Sequence, residues 1–282
     1  MLDAVAAETL KLTRHKATWF LVWLYPVGFI ILFLIATVAV VVTAEPPKPE
    51  GLQEWLEGTA VIWLLPGNTM GRYLIAAYVA LVFAGEYGWN TWKLIVPHRS
   101  RASLIGAKYV TAFGLLLIAY TLTALIGIFA GWFIDVVAGN PLPPGITAGG
   151  LLAVHGETAL PSLAPALVTI SVASLAAVLT RSTLAAFVIA LVATTIEQLF
   201  FNFGPMLSLK APGLVWALYN VLPGYHLANL GHWISEGTAL ATAFPTGATL
   251  ELFWITSLAA AAAWIGGLVG LTFLSFRRQD LN

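Results

Sequence analysis

A chain of 282 residues that is 59% hydrophobic and only 9% charged falls well short of the roughly 25% charge of an ordinary soluble domain. Its thirteen basic and thirteen acidic residues cancel, so net charge points to neither nucleic acid nor an acidic partner. Without cysteine, disulfides and thiolate metal sites are excluded. The composition is that of an integral membrane protein.

At the start of the chain, Leu2, Val5, Ala6, Leu10 and Thr13 fall on one side of a helical projection and Asp3, Glu8, Lys11 and Arg14 on the other. That amphipathic pattern predicts an interfacial helix lying on the membrane surface. The apolar run that follows, Trp19 to Ala44, is about 26 residues, well past the roughly 7 to 15 of a signal-peptide core, so it reads as a retained span.

A helix rises about 1.5 Å per residue and needs about 20 apolar residues to cross the hydrocarbon. Six stretches qualify: about 18 to 43, 60 to 85, 107 to 134, 160 to 180, 183 to 203 and 251 to 275. They are too long, and lack the alternation, for barrel strands. The segments "EPPKPEG" (45 to 51) and "GNPLPPG" (139 to 145) read as turns, and "TRST" as a tight hairpin between the fourth and fifth spans. Residues 86 to 106 form the longest internal connection, which Pro97 divides into a short helix, about 87 to 96, and a turn.

Between the fifth and sixth spans lie some 47 residues interrupted by Pro205, Pro212, Pro223 and Pro245. Short helices dipping partway into the membrane fit this segment, because irregular backbone at membrane depth must be covered by protein. The expected fold is all-α: a polytopic membrane protein of six transmembrane helices, with one membrane domain over residues 1 to 282.

Basic residues orient the spans. With both termini in the cytoplasm, the inner ends collect Lys11, Arg14, Lys16, Lys93, Arg99, Arg101, Lys108, Arg181, Arg277 and Arg278, ten of the thirteen. Two further charges, Arg72 and Glu197, sit at membrane depth, about 20 and 22 Å from the inner side. A lone charge there is costly, so two readings stand: the matching heights let the two face the bundle interior and interact, or each snorkels to the outer headgroups.

Chemistry-bearing motifs are missing. The chain has no phosphate-cradling loop, no H-E-x-x-H and no G-x-S-x-G nucleophile. His155 and Glu157 read as an external loop, while His226 and His232, six apart, read as interfacial polar residues; neither pair suffices for a metal site. No enzyme, no metal site and no cofactor on this chain are expected.

The densest charge lies in "EYGWNTWKLIVPHRSR", residues 86 to 101. The positive-inside rule accounts for the basic residues, but Tyr87, Trp89, Asn90 and Trp92 exceed what orientation requires, and a short helix followed by "HRSR" is shaped for docking to a cytosolic partner. Here the sequence resembles the permease subunits of type 2 ATP-binding-cassette (ABC-2) transporters, especially small bacterial ones related to bacitracin, lantibiotic and multidrug resistance permeases. The resemblance rests on "AAETLKLTRHK", on "GEYGWNTWKLIVPHRSRASLIGAKY" after the second span, on "LPGYHLANL" and on the terminal "FRRQDL".

That resemblance implies a loop that couples to cytosolic ABC ATPase subunits, which would carry the ATP and Mg. By position, Glu86, Thr91, Lys93, Pro97 and Arg101 belong to it, with Trp89 and Arg99 beside them. It further implies a second permease copy in a homodimer, a multi-pass location in a prokaryotic cell membrane, and outward movement of an amphipathic or hydrophobic solute. Two rivals remain at this stage: a secondary transporter in which Glu197 carries a proton, and a non-transporting scaffold or sensor subunit.

Overall fold

The structure, a computed structural model, describes residues 1–43, 50–89 and 91–280, without the side chains of Thr43 and Trp89. Glu45 and Lys48 of the first expected turn, and Asn90, lie outside the described residues.

The described residues are all-α apart from one hairpin of two two-residue strands. Helix α1 (Leu2–Arg14) is amphipathic, burying Ala4 and Leu12. After His15 comes α2 (Lys16–Thr43), which leaves Leu32, Leu34, Ile35, Val38 and Val41 exposed, as a lipid-facing helix does. Then follow α3 (Leu52–Ala60), a 3₁₀ stretch (Val61–Gly67), α4 (Thr69–Trp89), the single turn α5 (Trp92–Ile95), and α6 (Arg101–Ala138). The C-terminal half holds α7 (Ala148–Thr180), α8 (Thr183–Leu207), α9 (Pro212–Val221), α10 (Pro223–Glu236), β1 (Thr242–Ala243), β2 (Thr249–Leu250) and α11 (Trp254–Arg278).

Five of these helices, α2, α6, α7, α8 and α11, are long and apolar enough to cross a membrane. The second expected span, 60 to 85, is instead divided. Pro66 and Gly67 end a 3₁₀ stretch, and the α-helix proper starts at Thr69 and runs to Trp89. At 21 residues α4 is about 32 Å long, enough for a crossing, but Arg72 and Glu86 near its two ends lower its hydropathy. Span three begins earlier than expected, at Arg101, and span four at Ala148. In α7 the helix continues through Pro161 and Pro165, which membrane helices tolerate when neighbours meet the freed backbone groups. His155 and Glu157 are therefore helical, not part of an external loop.

The described chain forms two compact units. One combines Pro66–Lys108 with Leu160–Asn282. Its centre is α4, whose Ile75, Ala76, Tyr78, Val79, Ala80, Val82, Phe83 and Ala84 are all buried; a helix apolar on every side belongs in a core. Ala76, Ala80 and Ala84 recur every fourth residue, and the packed neighbour α8 buries Ala186, Ala190 and Thr194 at the same spacing. Small residues in register let the two backbones approach closely, and dispersion then holds the pair where no hydrophobic driving force acts.

In the same unit, α9, α10 and the hairpin make the expected break between the last two long helices. Tyr219, Tyr225, Val215, Phe244 and Leu250 form an apolar cluster. The Tyr225 hydroxyl donates to Leu240 O (2.9 Å) and accepts from Leu252 N (3.1 Å). His226 is buried, contrary to the interfacial place expected for it. Its Nδ1 contacts Ser257 Oγ (3.1 Å), its Nε2 contacts Asn220 O (2.9 Å), and Asn229 Nδ2 donates to the same Ser257 hydroxyl (2.8 Å). Buried polar groups that satisfy one another in this way fix α10 on α11.

The other unit combines Leu2–Leu65 with Tyr109–Ala159. Helix α3, in a stretch expected to be loop, packs here because "GIFAG" in α6 places Gly127 and Gly131 against it; a Cβ at 127 would stand 2.9 Å from Thr59 O. Trp55 Nε1 donates to Asp135 (2.9 Å) and Trp63 Nε1 to His155 Nδ1 (2.9 Å).

A tight approach between α8 and α9 yields a test. A Cβ on Gly204 would lie 2.6 Å from Cε2 of Tyr219, a ring buried to 1% exposure whose hydroxyl donates to Phe200 O and Phe201 O. Gly204→Ala is expected to cost about 1–3 kcal/mol through overpacking and to lower the melting temperature in detergent. Gly266→Ala, where a Cβ meets nothing, is expected to leave it unchanged or raise it.

Candidate functional site

The loop after α4 is shorter than the expected 86 to 106, because α4 extends to Trp89 and α6 starts at Arg101. Within it the expected helix of about ten residues contracts to α5 and a 3₁₀ turn, Val96–His98. Pro97 supplies no N–H, so an α-helical ladder cannot extend through it. After α4, Thr91 N donates to Glu86 O (3.1 Å), and Leu94 N to Thr91 O (3.0 Å) starts the next turn.

The residues expected here divide by burial. Lys93, Leu94, Pro97, His98 and Arg99 are exposed, with Leu94 at 71%. Trp92, one residue away, is 3% exposed and packs on Phe276 of α11, ring centroids 4.6 Å apart. The Thr91 hydroxyl and the Trp92 indole N–H are buried and find no partner among the described residues. The side chain of Trp89 lies outside the described residues. A single turn with one buried anchor and an exposed cationic and apolar face can be held firmly while offering that face to a partner.

Glu86 and Arg101 have intramolecular roles. Both Glu86 carboxylate oxygens lie 2.7 Å from Lys108 Nζ, whose remaining donor reaches Val82 O at 2.6 Å. All three ammonium protons are thus used, and Trp92 presents its ring face 5.4 Å from the same nitrogen. The pair is almost fully enclosed, at 2% and 3% side-chain exposure. From sequence, Lys108 counts only among the inner charges. Its position seven residues into a long apolar helix was the available signal, since a lysine placed there needs an anion.

Arg101 reaches across to the end of α11. Its Nη1 donates to the carbonyls of Phe276 (3.0 Å), Arg277 (2.9 Å) and Gln279 (2.6 Å). The last carbonyls of a helix have no intrahelical donor and carry the negative end of its dipole, so a guanidinium there is doubly favourable.

The two charges at membrane depth are brought together. Arg72 Nη1 donates to Glu197 Oε1 (2.7 Å) and Nη2 to Oε2 (3.0 Å), in the two-point geometry that guanidinium and carboxylate favour. Arg72 Nε donates to Thr169 Oγ1 (2.8 Å), which donates in turn to Pro165 O (3.0 Å). Three helices, α4, α7 and α8, are thereby joined. Nearby, Tyr73 and Thr195 share a hydroxyl contact between α4 and α8. Glu197 also edges a cavity of about 340 Å³ whose walls are otherwise apolar, with Val172, Phe200, Leu218, Tyr225 and Trp264 among them.

The long apolar helices are those of a membrane protein, and comparison gives it a family. The sequence model described as ABC-2 family transporter protein matches residues 4–197, more than half of the chain. The chain belongs to the ABC-2 transporter family. No curated protein and no solved structure matches it. As an ABC-2 protein it is a membrane permease of an ABC transporter, a family that is normally non-enzymatic. The match takes in α4, the loop, Lys108 and both partners of the membrane-depth pair, ending at Glu197.

No group of three or more His, Asp or Glu suited to a metal ion occurs among the described residues. The buried pair at the loop gives the sharper test. Lys108→Met leaves the Glu86 carboxylate enclosed without its counter-charge and is expected to cost about 3–5 kcal/mol. The double variant Glu86→Gln with Lys108→Met removes both charges and is expected to recover most of that loss. Thermal unfolding of the wild type, Glu86→Gln, Lys108→Met and the double variant in one detergent measures the coupling.

Proposed function

We propose that this permease is the transmembrane subunit of an ATP-driven exporter whose ATPase is a separate chain. The observation that carries the reading is the split in the loop: Trp92 buried on α11, and Lys93, Leu94, Pro97, His98 and Arg99 exposed beside it. The exposed face docks in a groove of the cytosolic ATPase, and closure of two ATPases on Mg-ATP moves the loop and tilts the permease. Two copies of the permease pair in a prokaryotic cell membrane with both termini cytoplasmic, which places ten of thirteen basic residues inside.

The solute moved outward is amphipathic or hydrophobic. Support comes from the apolar cavity of about 340 Å³ edged by Glu197, a size and lining typical of small-molecule sites. A proton-carrying role for Glu197 fits less well, because both of its carboxylate oxygens are already engaged by Arg72.

Affinity-tagged permease isolated from its own membranes is expected to retain an ATP-hydrolysing subunit. The variant Lys93→Glu with Leu94→Asp is expected to lose at least about 90% of the retained ATPase, because charge reversal and a buried new carboxylate together exceed the roughly 1.4 kcal/mol that corresponds to tenfold in binding. A wild-type permease that retains no ATPase would refute the reading. Since the chain has no native cysteine, Arg99→Cys also reports its side uniquely. A membrane-permeant maleimide is expected to label it in intact cells, and an impermeant one to fail.

A further inference from the structure

We infer that Gln279, just past the end of α11, is the positioning residue through which movement of the coupling loop is passed to the last span. This rests on the proposed docking of an ATPase to that loop. Covalently, the loop is continuous only with α4 and α6. Its non-covalent attachments lead elsewhere: Trp92 packs at a tilt against Phe276, and Arg101, at the loop's other end, binds three carbonyls at the α11 terminus, one of them that of Gln279. Both ends of the loop are therefore fastened to α11.

The Gln279 side chain then ties that terminus to two further helices. It accepts from the Tyr87 hydroxyl of α4 at 2.6 Å and donates to Val178 O of α7 at 2.6 Å. An amide is suited to this because it accepts at one atom and donates at the other. Four helix ends, those of α4, α6, α7 and α11, thus meet around one side chain and one guanidinium. A push on Lys93 or Leu94 cannot shift Trp92 without shifting Phe276, and Gln279 decides whether α4 and α7 follow. Neither Phe276 nor Gln279 lies in the residues matched by the family model.

A helix cap that merely stabilised α11 would leave nucleotide-driven motion intact, and this separates the two roles. The complex with its ATPase is reconstituted in liposomes with one environment-sensitive fluorophore on Leu274→Cys, an exposed site on α11 in a chain without native cysteine. A non-hydrolysable ATP analogue with Mg is expected to shift the wild-type spectrum. Gln279→Leu is expected to retain the ATPase yet reduce the shift about tenfold, and Tyr87→Phe, which removes one bond, about threefold.

Gln279→Glu keeps an acceptor for Tyr87 but offers Val178 no donor, and is expected to fall between them. Combining Tyr87→Phe with Gln279→Leu is expected to be no worse than Gln279→Leu alone, since the two act through one bond. Should Gln279→Leu fail to fold, Tyr87→Phe carries the test by itself. A full wild-type shift in either single variant, with ATPase bound, overturns the role of Gln279, as does a wild-type complex with ATPase bound and no shift. A wild type that holds no ATPase overturns the transporter reading and this one with it.

Discussion

Charge buried in an apolar helix must be paired, and in this chain that requirement is met twice on α4. Arg72 and Glu86, fourteen residues apart and so about 21 Å along the axis, are 1% and 2% exposed. Each finds its counter-charge on a different helix, Glu197 of α8 and Lys108 of α6. Charges so enclosed would cost several kcal/mol each if unpaired. Alternative registers of α4 that slide it along α8 or α6 break one pair or the other. Between the two pairs, the Ala76, Ala80 and Ala84 row supplies close packing but little directional information; the charges give the helix its height.

The same pairing organises the loop. Lys108 lies under Trp92 and binds Glu86, so the base of the exposed turn is built on the second ion pair. Rigidity at the base and exposure at Lys93 and Leu94 are complementary. If the loop docks an ATPase as proposed, a base that flexed would absorb displacement rather than transmit it. Arg101 and Gln279 extend that stiff base to the end of α11. In physical terms the loop is one face of a joint, whose other faces are helix ends with otherwise unsatisfied carbonyls.

At the opposite end of α4 the network has another character. Arg72 spans α4, α7 and α8 with three donors, and its partner Glu197 borders an apolar cavity. Gly224, at the start of α10, stands so close that a Cβ would lie 3.3 Å from Glu197 Cγ. The start of α10 therefore meets the Glu197 side chain with backbone instead of side chain. Its own polar groups, His226, Asn229 and Tyr225, are satisfied internally, which is what permits irregular chain in this position.

Length and hydropathy alone determined much of this protein. Helix is obligatory where apolar runs exceed twenty residues, so α2, α6, α7, α8 and α11 were legible, as were the amphipathic α1 and the proline-broken segment before α11. The matching heights of Arg72 and Glu197 were legible too, because helical rise converts residue number into depth. Other features depended on partners distant in sequence. Helix α3 exists because Gly127 and Gly131 leave room for it, Glu86 turns inward because Lys108 waits on another helix, and Arg101 caps a helix that begins more than 150 residues later. Hydropathy reports how a residue prefers water or lipid, and that preference is local. Which buried donor meets which acceptor is a property of the packed chain, and only the tertiary structure decided it.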